Sequence, residues 1–335
     1  GFVLVGQSKY FRFLLADPEL DLLEFLGKQG LSVSVGVRRT DGGFLTRIDA
    51  PEGIRYAVLF TEAPRGKAPV RTPQFMEFGK LVAELHIAMD LRPEDKRRFH
   101  IDPHHLLDEP LRIVAPLIEH REEDLRFLTK LADELKSRVS ALLTRKSPEY
   151  GCIHCDIPNL HISTDGTMTL FDFDCYGYGW RAYDIAVLLW LLRWSAFRSG
   201  RPKGPDTRKW NLFLEGYGQI RPLAQSEQNA IDVFLPIRHI WLMGLQAKTI
   251  TTHGRHMMSL DDDYFDANIG FVRHCAASID VVLIDVPPHS HPRYQTVVVW
   301  AVEDRVPATQ ISQRVGKSHP LNPGRSRCVH VDRLL

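Results

Sequence analysis

The sequence has few cysteines, little net charge and no long apolar run. Its five cysteines are scattered through 335 residues, and an odd number in so long a chain does not fit a disulfide framework. The formal net charge is +1, so no overall attraction to nucleic acid or to a membrane is expected, and the basic run 96–98 is interpreted as a solvated helix face. The longest apolar run, 185–192, is too short to span a bilayer. Because the first residues also lack the sections of a signal peptide, we expect a cytoplasmic protein with no nucleic-acid or membrane partner.

The composition and the spacing of apolar residues predict a globular protein with both helices and strands. Hydrophobic residues make up 44% and charged residues 25% of the chain, and its length suggests two domains or one large bilobal domain. A first helix is predicted to begin with Asp17 as its N-cap and Pro18 at its first position. Alternating apolar residues predict strands at 31–37, 44–48 and 56–60. Helical spacing predicts further helices at 75–89, 122–143, 183–195, 207–219, 226–248 and 260–279.

Residues 154–174 contain the main functional signal. Asp156 and Asn159 share one loop, and Asp172 follows an apolar strand that comes after an Asp-Gly turn of the hairpin type. A carboxylate can accept a proton from a hydroxyl group, whereas an amide and a second carboxylate can hold the Mg²⁺ that bridges nucleotide phosphates. These residues therefore predict phosphoryl transfer. The alternative is a plain turn, because Asp and Asn side chains often bond to nearby backbone groups.

The run 153–190 resembles the aminoglycoside phosphotransferase and choline-kinase-like superfamily. That superfamily has a His-Gly-Asp loop followed by Asn, then an Asp-Phe-Asp motif and a helix that carries an Asp. The stretch 171–184 is similar to the branch around stress response kinase A and the homoserine-kinase-like enzymes. The resemblance implies an α+β, protein-kinase-like bilobal fold, with a truncated β-rich N-terminal lobe, a mainly helical C-terminal lobe and ATP between them. It also implies Mg²⁺-dependent transfer of the γ-phosphoryl group to a hydroxyl of a small molecule or of a protein Ser or Thr.

The resemblance also implies roles for individual residues around the catalytic loop. Asp156 corresponds to the catalytic Asp, and Asp174 to a second acid near the phosphates or the acceptor. Asn159 and Asp172 correspond to the metal ligands. Two further residues are implied to brace the loop, namely His154 and Asp184.

On the nucleotide side, the resemblance points to residues near the N-terminus. Arg12 matches the cation that contacts the phosphates, with Lys9 as its rival, and Glu19 matches the acid that pairs with this cation. Glu19 can equally serve only to favour the start of a helix. The hinge that bonds the adenine is implied to comprise Phe60, Thr61 and Glu62.

The catalytic loop departs from the family pattern at two places. Only Ile157 and Pro158 separate Asp156 from Asn159, where the family has four residues, and Cys155 stands where the family has Gly. Since a displacement of about 1 Å can cost a factor of about 100 in rate, the shorter loop predicts a misplaced catalytic carboxylate. This motivates a second hypothesis, a catalytically impaired kinase-like protein that binds a nucleotide or a partner.

Cysteine spacing supports a third hypothesis. Cys152 and Cys155 form a C-x-x-C pattern, which is typical of zinc-binding and redox-active proteins, although no second pair follows at a suitable distance. Cys152 is predicted instead to point into the core.

For the domain organisation we predict a partial N-terminal lobe at 1–62, a helical lobe with the catalytic loop at 63–280, and a partly disordered tail of unknown role at 281–335. The sequence leaves the oligomeric state and the acceptor open.

Overall fold

The computed structural model describes residues 2–7, 13–50, 53–63, 71–157, 159–200, 207–253 and 259–279. The strands in these ranges are β1 Phe2–Gln7, β2 Thr46–Ala50, β3 Gly53–Thr61, β4 His100–Ile101, β5 Tyr150–Ile153, β6 Leu160–Ile162, β7 Met168–Leu170 and β8 Gly177–Trp180. The α-helices are α1 Phe13–Lys28, α2 Gln74–Asp90, α3 Glu109–Val114, α4 Glu122–Leu142, α5 Arg181–Arg198, α6 Thr207–Ile220, α7 Gln225–His253 and α8 Asp262–Ala277. A π-helical turn, His104–Asp108, leads into α3.

The strands form small sheets. An antiparallel sheet has the order β1-β3-β2, and a mixed sheet has the order β4-β8-β5. Strands β6 and β7 form the predicted hairpin, whose turn contains Gly166 with a φ of 91°. A backbone in this left-handed region favours glycine, which explains the Asp-Gly turn.

The predicted strand at 31–37 is wrong in detail. Within this segment the structure has only isolated bridges, one to Leu170 of β7 and one to Phe60 of β3. The segment changes its partner halfway along, so neither side continues into a regular ladder. As a result, it ties the β1-β3-β2 sheet to the hairpin that precedes Asp172.

The predicted start of the first helix is also wrong. Helix α1 begins at Phe13, ahead of Asp17, and contains Pro18. Proline lacks the N–H group that would continue the hydrogen-bond ladder, so packing must stabilise this helix instead. The side chains that supply this packing are the buried Leu20, Leu22, Leu23 and Leu26.

The other predicted helices agree with the structure to within a few residues at their ends. Helix α5 is almost wholly buried in its first half, from Arg181 to Trp190, and packs against α7. No helix in the described ranges is long and apolar enough to cross a membrane. The domain boundaries at residues 62 and 280 stay predictions, and the tail 281–335 lies outside the described residues.

Helices α2 and α6 cross at two glycines that allow their backbones to touch. A Cβ atom added to Gly79 would collide with the carbonyl oxygen of Phe213, and one added to Gly216 would collide with that of Met76. Because both obstacles are backbone atoms, neither can move aside easily.

We therefore expect Gly216→Ala to lower the free energy of unfolding by about 3 kcal/mol, because overpacking outweighs the better helix propensity of alanine. Thermal or denaturant unfolding measures this change. The matched control is Gly218→Ala in the same helix, where a Cβ meets nothing within 4 Å. That control should be neutral or slightly stabilising, and equal effects of the two substitutions would contradict the predicted collision.

Candidate functional site

The loop after β5 is anchored by a buried carboxylate. Asp184, in the first turn of α5, accepts hydrogen bonds from the backbone N–H groups of His154 at 2.9 Å and Cys155 at 2.7 Å. Its third partner is the ring of His86, with 3.0 Å between Asp184 Oδ2 and His86 Nε2. Burial alone would raise the pKa of Asp184, but the hydrogen bond from His86 and the nearby His154 hold it below its usual value. The start of the loop is thus held by an ionised acid.

His86 serves this network as a neutral donor. Burial lowers the pKa of its imidazole, although Asp184 acts in the opposite direction. Its Nδ1 lies 2.8 Å from the hydroxyl of Tyr217, so we assign the proton to the Nε2 that faces Asp184. His86 therefore extends the support of the loop from α5 to α2 and α6.

His154 connects the loop to the strand on its other side. Its Nδ1 accepts the backbone N–H of Asp156 at 3.2 Å, and its Nε2 donates to the carbonyl oxygen of Phe171 at 3.2 Å. The ring also contacts Phe173, with 4.2 Å between the ring centroids. One buried imidazole therefore sets the spacing between Asp156 and the segment that carries Asp172.

Three polar side chains meet between these two segments. The amide Nδ2 of Asn159 donates to Asp156 Oδ2 at 2.9 Å and to Asp172 Oδ2 at 3.2 Å. A hydrogen bond of 3.2 Å from the Asn159 N–H to the Asp156 carbonyl oxygen closes the shortened loop as a tight turn. This turn leaves the Asp156 carboxylate beside the Asn159 amide, and the displacement expected from the shorter loop stays a prediction.

The backbone is strained at two points in the site. Cys155 has a φ of 74° and Asp172 a φ of 67°, and in the described part of the chain these are the non-glycine residues with positive φ. Side chains with a Cβ rarely adopt this conformation, so the Gly that the family pattern has at the position of Cys155 has a physical explanation. Strain of this kind clusters at functional sites, where surrounding contacts impose it.

The site gathers acidic side chains whose ionisation is unfavourable while no cation is bound. Burial and the neighbouring Asp174 and Asp156 raise the pKa of Asp172 to about 8, and burial also raises that of Asp174. Glu19 of α1 joins them. Burial, Asp174 and Asp172 raise its pKa to about 8, with only Arg98 opposing them. A cation bound beside these acids would relieve the repulsion among their ionised forms.

These residues fit a hard divalent cation such as Mg²⁺. Their donors are carboxylate and amide oxygens, which such ions prefer. Among the described residues, no three His, Cys, Asp or Glu side chains are grouped so that they could hold a metal ion by themselves. Mg²⁺ is usually held by one or two carboxylates together with phosphate oxygens and water, so this donor set suits an ion that arrives with a nucleotide.

The predicted nucleotide contacts are less well defined. Arg12 and its rival Lys9 lie outside the described residues, so the pairing of Arg12 with Glu19 stays a prediction. In the hinge, the N–H of Thr61 donates to the Val35 carbonyl at 2.9 Å, and the Thr61 carbonyl accepts the hydroxyl of Ser34 at 3.1 Å. Both backbone groups of Thr61 are therefore engaged within the protein.

The buried thiols do not support the zinc or redox hypothesis. Cys152 lies in the core as predicted, and burial raises the pKa of Cys152 and of Cys155 to about 12. The thiolate is the form that binds zinc and attacks disulfides, so these protonated groups are poorly suited to either role.

The sequence interpretation missed two arginines. Arg238 of α7 donates to Asp156 Oδ1 at 2.6 Å, and Arg98 donates to the backbone carbonyl of Asp174 at 2.7 Å. Residues 96–98 lie in a turn outside any helix and Arg98 is buried, so the interpretation of this run as a solvated helix face is wrong. The available signal for Arg238 was its isolation in an otherwise apolar stretch of helix.

Comparison with known proteins agrees with the resemblance seen in the sequence. Residues 13–223 match the model of the phosphotransferase enzyme family. An uncharacterized protein of Synechocystis sp. is 34% identical over 237 residues, which are 69% of this chain and 63% of that protein. The homoserine kinase of Agrobacterium fabrum is 26% identical over 219 residues, 64% of this chain and 63% of the enzyme. The chain thus covers less than two thirds of the length of either relative.

A solved structure shows the same fold. Amicoumacin kinase hAmiN, in complex with AMP-PNP, Ca²⁺ and Ami, superposes with a TM-score of 0.61 and 22% sequence identity, over 83% of this chain and 81% of that chain. The predicted α+β, protein-kinase-like bilobal fold is confirmed by this likeness.

Proposed function

This chain belongs to the phosphotransferase enzyme family, and on that premise we propose that it transfers the γ-phosphoryl group of ATP to a hydroxyl group of a small molecule. The observation that carries the proposal is the contact of Asn159 with both Asp156 and Asp172. Phosphoryl transfer relies mainly on positioning and on stabilising charge, and this contact supports both.

In this proposal Asp156 orients the acceptor. Its carboxylate accepts the hydroxyl proton as the acceptor oxygen bonds to the γ-phosphorus and the bond to ADP breaks. Asp174 supports the site as a second acid, and Glu19 supports the phosphate-binding cation assigned to Arg12. Phe60, Thr61 and Glu62 flank the adenine, with the backbone contact falling beside Thr61 because its own groups are engaged.

Asn159 and Asp172 would hold the metal. Mg²⁺ bound there supplies positive charge against the β- and γ-phosphate oxygens, where negative charge develops. The AMP-PNP and Ca²⁺ of the amicoumacin kinase structure support the use of ATP and a divalent cation. The raised pKa values of Asp172 and Asp174, which a bound cation would lower, support the same assignment from this chain alone.

We propose an amino alcohol as the acceptor class. Homoserine kinase, one of the relatives, is named for such an acceptor.

The deciding experiment is an assay of ADP release with Mg²⁺ and ATP over a panel of amino alcohols that includes homoserine, with ³¹P NMR of the product. We expect turnover with at least one acceptor and a decrease of about 100-fold in kcat for Asp156→Asn, because the amide keeps the geometry but takes up no proton. The control is Asp133→Asn on the exposed face of α4, which should retain full activity.

Other outcomes would change the proposal. Turnover only with a protein Ser or Thr acceptor would show that the substrate is a protein and not a small molecule. Stabilisation by ATP without turnover of any acceptor would instead support the impaired, nucleotide-binding alternative, and an unchanged kcat in Asp156→Asn would remove Asp156 from its role.

A further inference from the structure

The geometry points to Arg238 as the positioning residue that holds Asp156 ready for catalysis, an inference that rests on the proposed function. Arg238 lies in α7, beyond the residues 13–223 that match the family model. No motif in the sequence marks it, and its role follows from its contacts alone.

Arg238 contacts both the side chain and the backbone of the catalytic loop. Its Nη2 donates to Asp156 Oδ1 at 2.6 Å, and its Nη1 donates to the carbonyl oxygen of Cys155 at 3.0 Å. The other carboxylate oxygen, Oδ2, accepts from Asn159. Asp156 is thus held from two sides, and the hydrogen bond to the Cys155 carbonyl fixes the planar guanidinium relative to the loop that carries the carboxylate.

The guanidinium is itself held by aromatic rings. Its Cζ lies 4.4 Å from the ring centre of Trp241 and 5.3 Å from that of Trp190. The indole N–H of Trp190 donates to His239 at 3.1 Å, and that of Trp241 donates to His105 at 3.3 Å. Because each indole is hydrogen-bonded, the position of the cation between them is well defined.

Stability alone is a poor reason for this arrangement. Arg238 is 3% exposed, and its Nε has no hydrogen-bond partner among the described residues. A buried ion pair is often no more stabilising than apolar side chains of similar volume, and an unpartnered donor makes it less so. We therefore infer that the ion pair serves to orient Asp156.

A second arginine offers a matched comparison. Arg193 of α5 forms an ion pair of 2.7 Å with Asp232 of α7. It therefore lies between α5 and α7, as Arg238 does through its contact with Trp190 of α5. It is partly exposed, with 24% of its side chain accessible, and the structure gives it no contact with Asp156. Arg193→Met therefore removes an arginine between α5 and α7 without touching the catalytic loop.

The experiment measures kcat, KM and the melting temperature for Arg238→Met, Arg238→Lys and Arg193→Met. We expect kcat to fall about 100-fold in Arg238→Met and about 10-fold in Arg238→Lys, while KM for ATP changes less than about twofold, because Asp156 is loosened but nucleotide binding is not. Arg193→Met should keep the kcat of the wild type.

A double-mutant cycle shows whether Arg238 acts through Asp156. In the Asp156→Asn background, we expect Arg238→Met to lower kcat by less than about threefold, because the group that it positions is already lost. A full 100-fold decrease in that background would overturn the inference.

The variants remain informative in every case. If Arg238→Met does not fold, Arg238→Lys decides, since it keeps the charge but lacks the fork that reaches both Asp156 and Cys155. A folded Arg238→Lys with the kcat of the wild type overturns the inference alone. A wild type that turns over no acceptor overturns the proposed function, and this inference with it.

Discussion

Asp172→Asn is expected to abolish phosphoryl transfer and at the same time to make the metal-free protein more stable. We expect kcat to fall by at least about 1,000-fold, because the amide removes the charged ligand that holds the metal against the phosphates. The stability gain follows from the surroundings of this side chain, since it is partly buried and lies near Asp174 and Asp156. An uncharged group of the same shape relieves their repulsion.

The stability gain should depend on pH in a defined direction. The pKa of Asp172 in the folded protein is raised to about 8, above its unfolded value of about 3.9. Between these values the folded state keeps a proton that the unfolded state loses, so this group makes the protein less stable as pH rises. Asp172→Asn removes this pH-dependent loss of stability, because the amide does not ionise. In EDTA, its advantage in melting temperature should be small near pH 4 and largest above pH 8.

Calorimetry or thermal-shift measurements across this pH range, together with kcat, check both parts of the prediction. Asp133→Asn on the surface of α4 is the control, and it should change neither kcat nor the pH dependence. A variant that loses stability at every pH would show that Asp172 is a structural residue. A variant that keeps its activity would exclude it as the metal ligand.

Asp184→Asn is expected to cause the largest loss of stability in the helical part of the protein. The buried carboxylate accepts hydrogen bonds from His154, Cys155 and His86, all of which are donors. An amide turns an N–H group toward one of them and leaves the others without a charged acceptor. Removal of one member of a buried charged network typically costs about 4 kcal/mol, and we expect a loss of that order.

The same change should lower kcat, because the loop that carries Asp156 begins at His154 and Cys155. Denaturant unfolding gives the free energy, and kcat measured on the folded fraction separates the two effects. Asp261→Asn is the control. It replaces an exposed N-cap of α8 whose carboxylate accepts a backbone N–H at 3.0 Å, and asparagine caps equally well. Equal melting temperatures for both variants would show that Asp184 is not a structural anchor.

Sequence reasoning recovered the helices because their apolar spacing is long and regular, as in α2 and α4. It failed where the chain forms short contacts with distant segments. The segment 31–37 alternates like a strand, but its two partners, Leu170 and Phe60, are distant in sequence. Helix α1 extends through Pro18 because packing of its leucines outweighs the local preference of proline.

The residues of the proposed site could be chosen from the sequence because phosphoryl transfer demands particular chemistry from a few neighbouring positions. Asp156, Asn159 and Asp172 lie within one loop and the hairpin that follows, so local sequence determines how near they are. The effect of the short loop could not be predicted, because it depends on a turn that closes between Asp156 and Asn159. Counting residues indicated a displacement of Asp156, whereas the structure shows a tight turn that keeps its carboxylate in contact with Asn159.

The sequence by itself determined the helical framework and indicated the proposed type of chemistry, since both depend on short patterns of side chains. Only the tertiary structure decided what surrounds each charge. Arg238 reaches Asp156 across 82 positions of the chain, and Glu19, far away in the sequence, lies near enough to Asp172 and Asp174 for their charges to raise its pKa. Such long-range pairings do not appear as a periodic pattern in the sequence, because any helix that packs against the site can supply the cation or the acid. The pKa values of the acids then depend on burial, and the burial of a side chain depends on how the whole chain folds.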